Sequence, residues 1–335
     1  MANYDFASDT AAGAMPEAID ALVRFNTGFL AGYGEDQVCR KAGDLIRTLL
    51  DTDAEVWFTA SGTAANAVCV GALAHPHEAV AAHQYAHVII DEAGAPGFFG
   101  SGVGFIPLAG ASGRIAPAAL AAALVHADQS HRQSPAALSL TNATELGALY
   151  SEAELGALIT LAKADGLNIH LDGARLANSV AAGFDATCLA RLGVDVLVLG
   201  GSKAGGPPTE AIVVLNKALG RRFGARLKHG GQLVAKSRFL AAPWIGMLED
   251  GAWARRAAHA NAMARRLAAL TPFPIVHPVE TNAVFVDLDE AGLARLRAAG
   301  WSVYRFIDGS VRFMCSWATT PEAVDAFGVA LSGIT

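Results

Sequence analysis

Two polar clusters near the middle of the chain carry the residue types that could do chemistry. Residues 167–171 form a short apolar run that delivers Asp172 and Arg175, and residues 194–199 form a second that delivers Gly200, Gly201, Ser202 and Lys203. Both runs have strand length and are rich in β-branched residues and Leu, with a helix-like segment between them. That pattern predicts a parallel βαβ unit. In such sheets ligands bind beyond the carboxyl ends of the strands, so Asp172 and Lys203 are expected to face one crevice. A buried amine beside a carboxylate suits pyridoxal phosphate: the lysine forms a Schiff base with the cofactor aldehyde, and the aspartate keeps the pyridine nitrogen protonated. The same pair could also be a plain salt bridge at the edge of the sheet.

The elements needed to position these groups are legible on either side. Residues 55–58 read as a strand that runs into Thr59-Ala60-Ser61-Gly62-Thr63-Ala64-Ala65-Asn66 and opens an apolar helix, 64–74. Small hydroxyl residues and a glycine at a strand-to-helix junction fit an anion site, because the free N–H groups and the helix dipole favour a phosphate. An ordinary Ser/Thr N-cap is the alternative. No Gly-Lys-Ser/Thr sequence occurs, and Gly100, Gly102 and Gly104 miss the dinucleotide spacing, which disfavours a nucleotide-binding protein. The next strand and loop hold His83, Tyr85 and His87; a histidine just past a strand end can stack on a planar cofactor. A strand at 103–106 is expected to stop at Pro107, and a helix follows at 116–125. The strand 137–140 ends in Thr141-Asn142-Ala143-Thr144-Glu145, polar residues at the level of the same crevice. Ser151 and Glu154 have capping-box spacing at the head of the next helix.

The flanks are simpler. Ser8-Asp9-Thr10 precedes a helix opened by Pro16, a glycine-punctuated loop carries Tyr33, and a helix spans about 36–50. Past Lys203 comes a loop with two Gly and two Pro, a strand at 211–215, and one long helical region over about 244–270. The domain boundary is placed there, giving an N-terminal arm (1–30), a large domain (31–243) and a small C-terminal domain (244–335). The small domain reads β-α-β-α, at 283–288, 291–299, 310–315 and 321–332. It places Arg312 on an apolar strand, where a charge is costly unless paired. Its partner is either a protein acid or a substrate carboxylate, to which guanidinium geometry is suited. The fold class is α/β, with a mostly parallel central sheet plus a small α+β unit.

Composition bounds the rest. The 335 residues are 53% hydrophobic and 17% charged, with a formal net charge of −6. This argues against nucleic acid or an anionic membrane as the main partner. No apolar run reaches membrane-spanning length, and the start MANYDFASDT lacks a signal pattern, so a cytoplasmic protein is expected. The four cysteines are scattered and read as buried hydrophobes in a reducing compartment.

In order along the chain, SDT at Ser8, YGED at Tyr33, SGTAAN at Ser61, AHVIIDEAGA around His87, HLDGARLAN at His170, GGSKAG at Lys203 and RFMCSW at Arg312 resemble the L-threonine aldolases of the β-eliminating lyase group. These are fold-type I, aspartate-aminotransferase-like pyridoxal phosphate enzymes. The likeness is closest to the bacterial low-specificity branch, which has a TxxTE segment like 141–145. The resemblance implies an aldehyde-lyase that cleaves L-threonine, L-allo-threonine and related β-hydroxy-α-amino acids, phenylserine types among them, to glycine and an aldehyde, and runs the reverse addition. It implies that Lys203 holds the cofactor, Asp172 pairs with the ring nitrogen, and His87 stacks on the ring and moves protons. Ser61, Gly62 and Thr63 would hold the phosphate. Arg175 would lie near the cofactor oxygen and the substrate carboxylate, with Arg312 and Ser8 on that carboxylate. Tyr33 would come from a neighbouring subunit, as would a phosphate contact from Lys228 or Lys236, in a homotetramer with its sites at the dimer interface. Asn142 stands where other branches carry a histidine. Ser202-Lys203-Ala204 replaces the commoner Thr-Lys-Asn, and Gly206-Pro207-Pro208 is unusual. Other reactions of the same cofactor (β-elimination, racemisation, amino transfer) and a non-catalytic binding protein on this fold are the alternatives.

Overall fold

Strands alternate with helices along the first two thirds of the chain, and the computed structural model, which describes residues 3–125 and 130–334, gathers them into one sheet. Its strands are β1 (Glu55–Thr59), β2 (Glu78–His83), β3 (Gly104–Leu108), β4 (Ser134–Thr141), β5 (Asn168–Gly173), β6 (Val196–Gly200) and β7 (Glu210–Val214), in the order β1-β7-β6-β5-β4-β2-β3. Neighbours from β3 to β6 pair in parallel, whereas β7 is antiparallel to both β6 and β1. The central strands are mostly buried, and β6 is apolar and buried throughout, as a parallel sheet covered on both faces requires. The expected stop at Pro107 is overturned, since β3 continues through it to Leu108. As the edge strand, β3 pairs only with β2, and there a proline's missing N–H need not cost a ladder bond.

The helices are α1 (Pro16–Phe25), α2 (Gln37–Leu50), α3 (Gly62–Leu73), α4 (Glu152–Ala164), α5 (Arg238–Leu248), α6 (Ala252–Leu270), α7 (Glu290–Ala298) and α8 (Pro321–Ser332), with several shorter turns between them. Their starts follow local chemistry. Pro16 occupies the first turn of α1, and Asp36 accepts from the N–H groups of Val38 and Cys39 at 2.8 and 2.9 Å. At α4 the expected capping box is complete: Ser151 Oγ accepts from Glu154 N at 3.2 Å while Glu154 Oε2 accepts from Ser151 N at 2.8 Å. The single helical region expected over 244–270 is two helices. Gly251 turns the chain between α5 and α6 at φ +70°, a conformation glycine adopts without steric cost.

A three-stranded antiparallel sheet follows, made of β8 (Ala283–Val286), β9 (Tyr304–Arg305) and β10 (Val311–Met314) in the order β8-β10-β9. At two residues, β9 is too short for its alternation to be read from sequence. The small sheet has its own core, in which Phe6 from the N-terminal arm stacks on Phe327 of α8 with ring centroids 4.5 Å apart. The Met314 N–H donates to Phe6 O at 3.0 Å. The arm is thereby pinned to the C-terminal unit before it reaches Ser8, Asp9 and Thr10.

Candidate active site

The carboxyl ends of β5 and β6 lie side by side, in the register Asp172 to Val198, and present Asp172 and the turn carrying Lys203. The two elements meet so closely that a Cβ on Gly200 would stand 2.2 Å from the Ala174 carbonyl oxygen. Only glycine lets β6 end there. Beyond these strand ends is a cavity of about 570 Å³, with Ser61, Gly62, Thr63, His87 and Lys203 on its wall. Burial, reinforced by the Arg175 charge, pushes the Lys203 amine below its ordinary basicity. Burial also works against the charge on Asp172. The opposing charge of Lys203, together with His170 and the donors Ala174 N–H and Asn66 Nδ2, each 2.9 Å away, outweighs it and holds the carboxyl below its usual range. The pair therefore comprises an ionised carboxylate and an amine predisposed to lose its proton.

At the head of α3, Ser61 Oγ accepts from Ala64 N at 3.2 Å. Among the described residues, no hydrogen bond takes the N–H groups of Gly62 and Thr63. A Cβ on Gly62 would meet nothing within 4 Å, so the chain leaves open space at this point of the cavity wall. Free donors at the positive end of a twelve-residue helix fit a phosphate. With an amine at one point, an ionised carboxylate at another and a helix terminus at a third, the residues present fit pyridoxal phosphate.

His87 opens a short helix, His87–Ile90, directly after β2. Its Nδ1 lies 2.8 Å from Glu92 Oε1, and that hydrogen bond raises its basicity against the opposing effect of burial. Asn66 Nδ2 donates to Glu92 Oε1 at 2.8 Å and to Asp172 Oδ2 at 2.9 Å. Glu145 Oε1 accepts from the His87 N–H and from Thr141 Oγ1, each at 3.0 Å. Glu145 belongs to the strand-end cluster that the sequence places at the crevice, whereas Asn66 and Glu92 sit inside quoted motifs to which the sequence assigns no site role. Sequence reasoning also passed over Glu210, a buried acid of β7 on the cavity wall whose Oε2 accepts from Gly201 N at 2.7 Å.

The two arginines have different surroundings. Arg175 is held by Asp9, Nε to Oδ2 at 2.7 Å and Nη2 to Oδ1 at 3.0 Å, and Asn282 Nδ2 donates to the same carboxylate at 3.2 Å. Burial disfavours the Asp9 charge, but Arg175 outweighs it and keeps the carboxyl low. Asp9 was read only as part of the SDT motif. Arg312 lies across from Tyr304, between the rings of Tyr304 and Phe306 at 5.0 and 4.8 Å. It donates to the Tyr304 hydroxyl and, at 3.5 Å, to the Ala7 carbonyl. Its Nε has no partner, and no carboxylate among the described residues pairs with it. Burial, then the Arg175 charge, lowers it to about 10.

The remaining expected residues stand apart from the cavity wall. Ser8 caps the turn Asp9–Ala11, with its Oγ 2.8 Å from Thr10 Oγ1. Asn142 is fully buried and closes on the Tyr150 peptide, accepting from its N–H at 3.1 Å. The side chain expected to reach substrate is thus spent on the strand-end turn. Tyr33 is exposed, its N–H on Ala235 O at 3.1 Å and Lys228 Nζ 4.5 Å over its ring.

Comparison with known proteins agrees with this geometry. A family model described as beta-eliminating lyase matches residues 5–291. A low specificity L-threonine aldolase of Pseudomonas aeruginosa is 43% identical over 95% of this chain and 94% of its own. Another from Pseudomonas sp. strain NCIMB 10558 is 41% identical over 96% and 95%. A solved threonine aldolase of Leishmania major superposes with a TM-score of 0.93 at 31% identity, covering 99% of this chain and all of the other. A serine palmitoyltransferase of Sphingomonas wittichii, with a TM-score of 0.73 at 15% identity over 98% and 86%, shares the fold alone. The architecture is that of fold-type I pyridoxal phosphate enzymes, and the chain belongs to the beta-eliminating lyase family, alongside the low specificity L-threonine aldolases.

Proposed function

We propose that this protein is a pyridoxal phosphate-dependent aldehyde-lyase that cleaves L-threonine, L-allo-threonine and related β-hydroxy-α-amino acids to glycine and an aldehyde, and catalyses the reverse addition. The observation that carries the reading is the half-buried Lys203 amine on the cavity wall, lowered in basicity near the ionised Asp172 at the parallel strand ends. The 41–43% identity to low specificity L-threonine aldolases over nearly the whole chain supports the choice of reaction.

Each residue has a task. Lys203, on the cavity wall and lowered in basicity, would hold the cofactor through its amine. Asp172, held charged by Lys203 and by the donors Ala174 and Asn66, would sustain a positive charge on the cofactor's ring nitrogen. Ser61, Gly62 and Thr63 seat the phosphate at the head of α3. Arg312, paired with no carboxylate among the described residues, would take the substrate carboxylate, and Arg175, fixed by Asp9, would border it. Asn142 shapes the strand end beside them. His87, on the cavity wall, would lie against the cofactor and take up the proton of the substrate β-hydroxyl. Bound in this site, the cofactor supplies the electron sink for the pair left on Cα.

Tyr33, exposed and held away from its own cavity, serves the site of a neighbouring subunit in a homotetramer built as a dimer of dimers. The same reading divides the chain into the arm (1–30), a cofactor domain (31–243) and a small domain (244–335), and assigns the enzyme to the cytoplasm. No helix among the described residues is long and apolar enough to cross a membrane.

The test is aldehyde release from L-threonine by the cofactor-loaded protein, beside its K203A variant. Release of acetaldehyde with glycine supports the reading, and K203A is expected to lose at least about a thousandfold in kcat. Keto acid with ammonia would replace it with a β-elimination. A K203A variant of wild-type activity would remove Lys203 from its role.

A further inference from the structure

We infer that Glu92 and Asn66 form a bridge from Asp172 to His87, in which Glu92 is a positioning residue that keeps the neutral imidazole protonated at Nδ1 and so leaves Nε2 as its free lone pair. The role of that lone pair as the base for the β-hydroxyl rests on the function proposed above; the bridge itself does not.

The geometry is restrictive. The Glu92 carboxylate is sealed from solvent, and its Oε1 receives both His87 Nδ1 and Asn66 Nδ2 at 2.8 Å. Asn66 faces a carboxylate oxygen on each side, Glu92 Oε1 and Asp172 Oδ2. Only its NH₂ group can satisfy both, and doing so uses both amide hydrogens. Among the described residues the Asn66 carbonyl and Glu92 Oε2 are buried with no partner, so none of these residues makes another claim on their orientation.

A neutral imidazole has one N–H, and the nitrogen that carries it is set by the bond the ring makes. Here a carboxylate that cannot turn to water claims that hydrogen at Nδ1. The groups facing His87 from the surrounding elements are Glu92, Asp91, Asp172 and Lys203, with Glu145 on its backbone N–H. Asp91, whose Oδ2 lies 3.8 Å from Nε2, is largely exposed and competes weakly for a proton there. Ionised Glu92 favours the imidazolium, and burial with Lys203 opposes it; burial and the Asp172 charge raise the Glu92 carboxyl above its usual range, and the hydrogen bonds from His87 and Asn66 work to keep it ionised. Removing the Glu92 charge must therefore move the His87 titration to lower pH. The base form appears as pH rises through that midpoint, so the acid limb of kcat/KM must move the same way.

The experiment uses the full-length, cofactor-loaded protein with isotopically labelled histidine, the His87 resonances assigned by their loss in H87N. In the wild type, ring nitrogen shifts are expected to show neutral His87 as the Nδ1–H tautomer, the reverse of the preference of free imidazole side chains. In E92Q, which keeps the shape but not the charge, the His87 midpoint and the acid limb of kcat/KM are expected to shift together to lower pH. The plateau should fall by about tenfold, and E92D should recover part of both changes. An Nε2–H tautomer in the wild type, or an unmoved midpoint in folded E92Q, would overturn the bridge. If E92Q does not fold, the wild-type tautomer decides. A protein that shows the tautomer and the shift yet releases no aldehyde would keep the bridge and lose the proposed reaction.

Discussion

Arg312 holds its guanidinium over the rings of Tyr304 and Phe306, with its Nε unpaired and no carboxylate paired with it among the described residues. A charge kept in that state needs an external counter-ion, and the substrate carboxylate is the one the proposed reaction supplies. R312A is expected to raise KM for L-threonine by about 10- to 100-fold with a smaller effect on kcat, the loss of one charge-assisted hydrogen-bonded pair. R312K should recover little, because an ammonium lacks the planar fork. An unchanged KM in steady-state aldehyde assays would send Arg312 back to a purely structural role. His170 on β5 sets a different property. Burial holds its imidazole down to about 4, against the pull of Asp172. Between pH 6.5 and that value the unfolded chain takes up a proton that the folded chain refuses, so stability must fall as the pH is lowered through this window. The contribution is about 3 kcal/mol across the whole window. Urea midpoints measured at pH 7 and pH 5 should show this decline in the wild type and a shallower one in H170N. Equal slopes would mean that His170 is not the group responsible.

At the scale of elements, the arm is held from both ends of the molecule. Phe6 enters the core under the small sheet, and α1 lies on α5. The second contact depends on one missing side chain, since a Cβ on Gly246 would stand 2.0 Å from the Glu17 carbonyl oxygen and 2.9 Å from the Ala21 Cβ. Backbone cannot yield as a flexible side chain can. G246A is therefore expected to cost at least about 2 kcal/mol by pushing α1 away. Because α1 leads back to Asp9 and Arg175, it should also weaken substrate binding. Denaturant unfolding of G246A beside A241G, a buried change in the same helix that removes volume without a clash, separates overpacking from general loss of helix stability. Helix starts were readable in sequence because caps are local, as at Asp36 and Ser151. The extension of β3 through Pro107 was not, because it depends on which strand stands at the edge.

For the whole molecule, the proposed assembly makes a prediction that no single-chain property shares. If Tyr33 acts in a neighbour's site, K203A and Y33A damage different halves of one shared site. Mixing the two inactive variants under conditions that exchange subunits should restore activity, to about a quarter of the wild-type level for random pairing in dimers. Failure to complement, with subunit exchange verified by mass, would confine Tyr33 to its own chain.

The order of motifs along the chain, the strand-helix alternation and the Asp172 and Lys203 pair were legible because strand ends of a parallel sheet are fixed by local pattern and by handedness. The cofactor class and the family followed from those residues. What the sequence could not determine was the pairing of groups distant along the chain. Asp9 meets Arg175 and Asn282, and Asn66 meets both Glu92 and Asp172. None of these contacts leaves a periodic signature, since each is made by one side chain reaching one partner across the fold. Asn142 shows the converse, a polar residue at the right strand end whose side chain the tertiary structure closes on Tyr150. Pattern places a residue at the level of a site, but the direction of its side chain and the satisfaction of its hydrogen bonds are decided only when the surrounding elements pack.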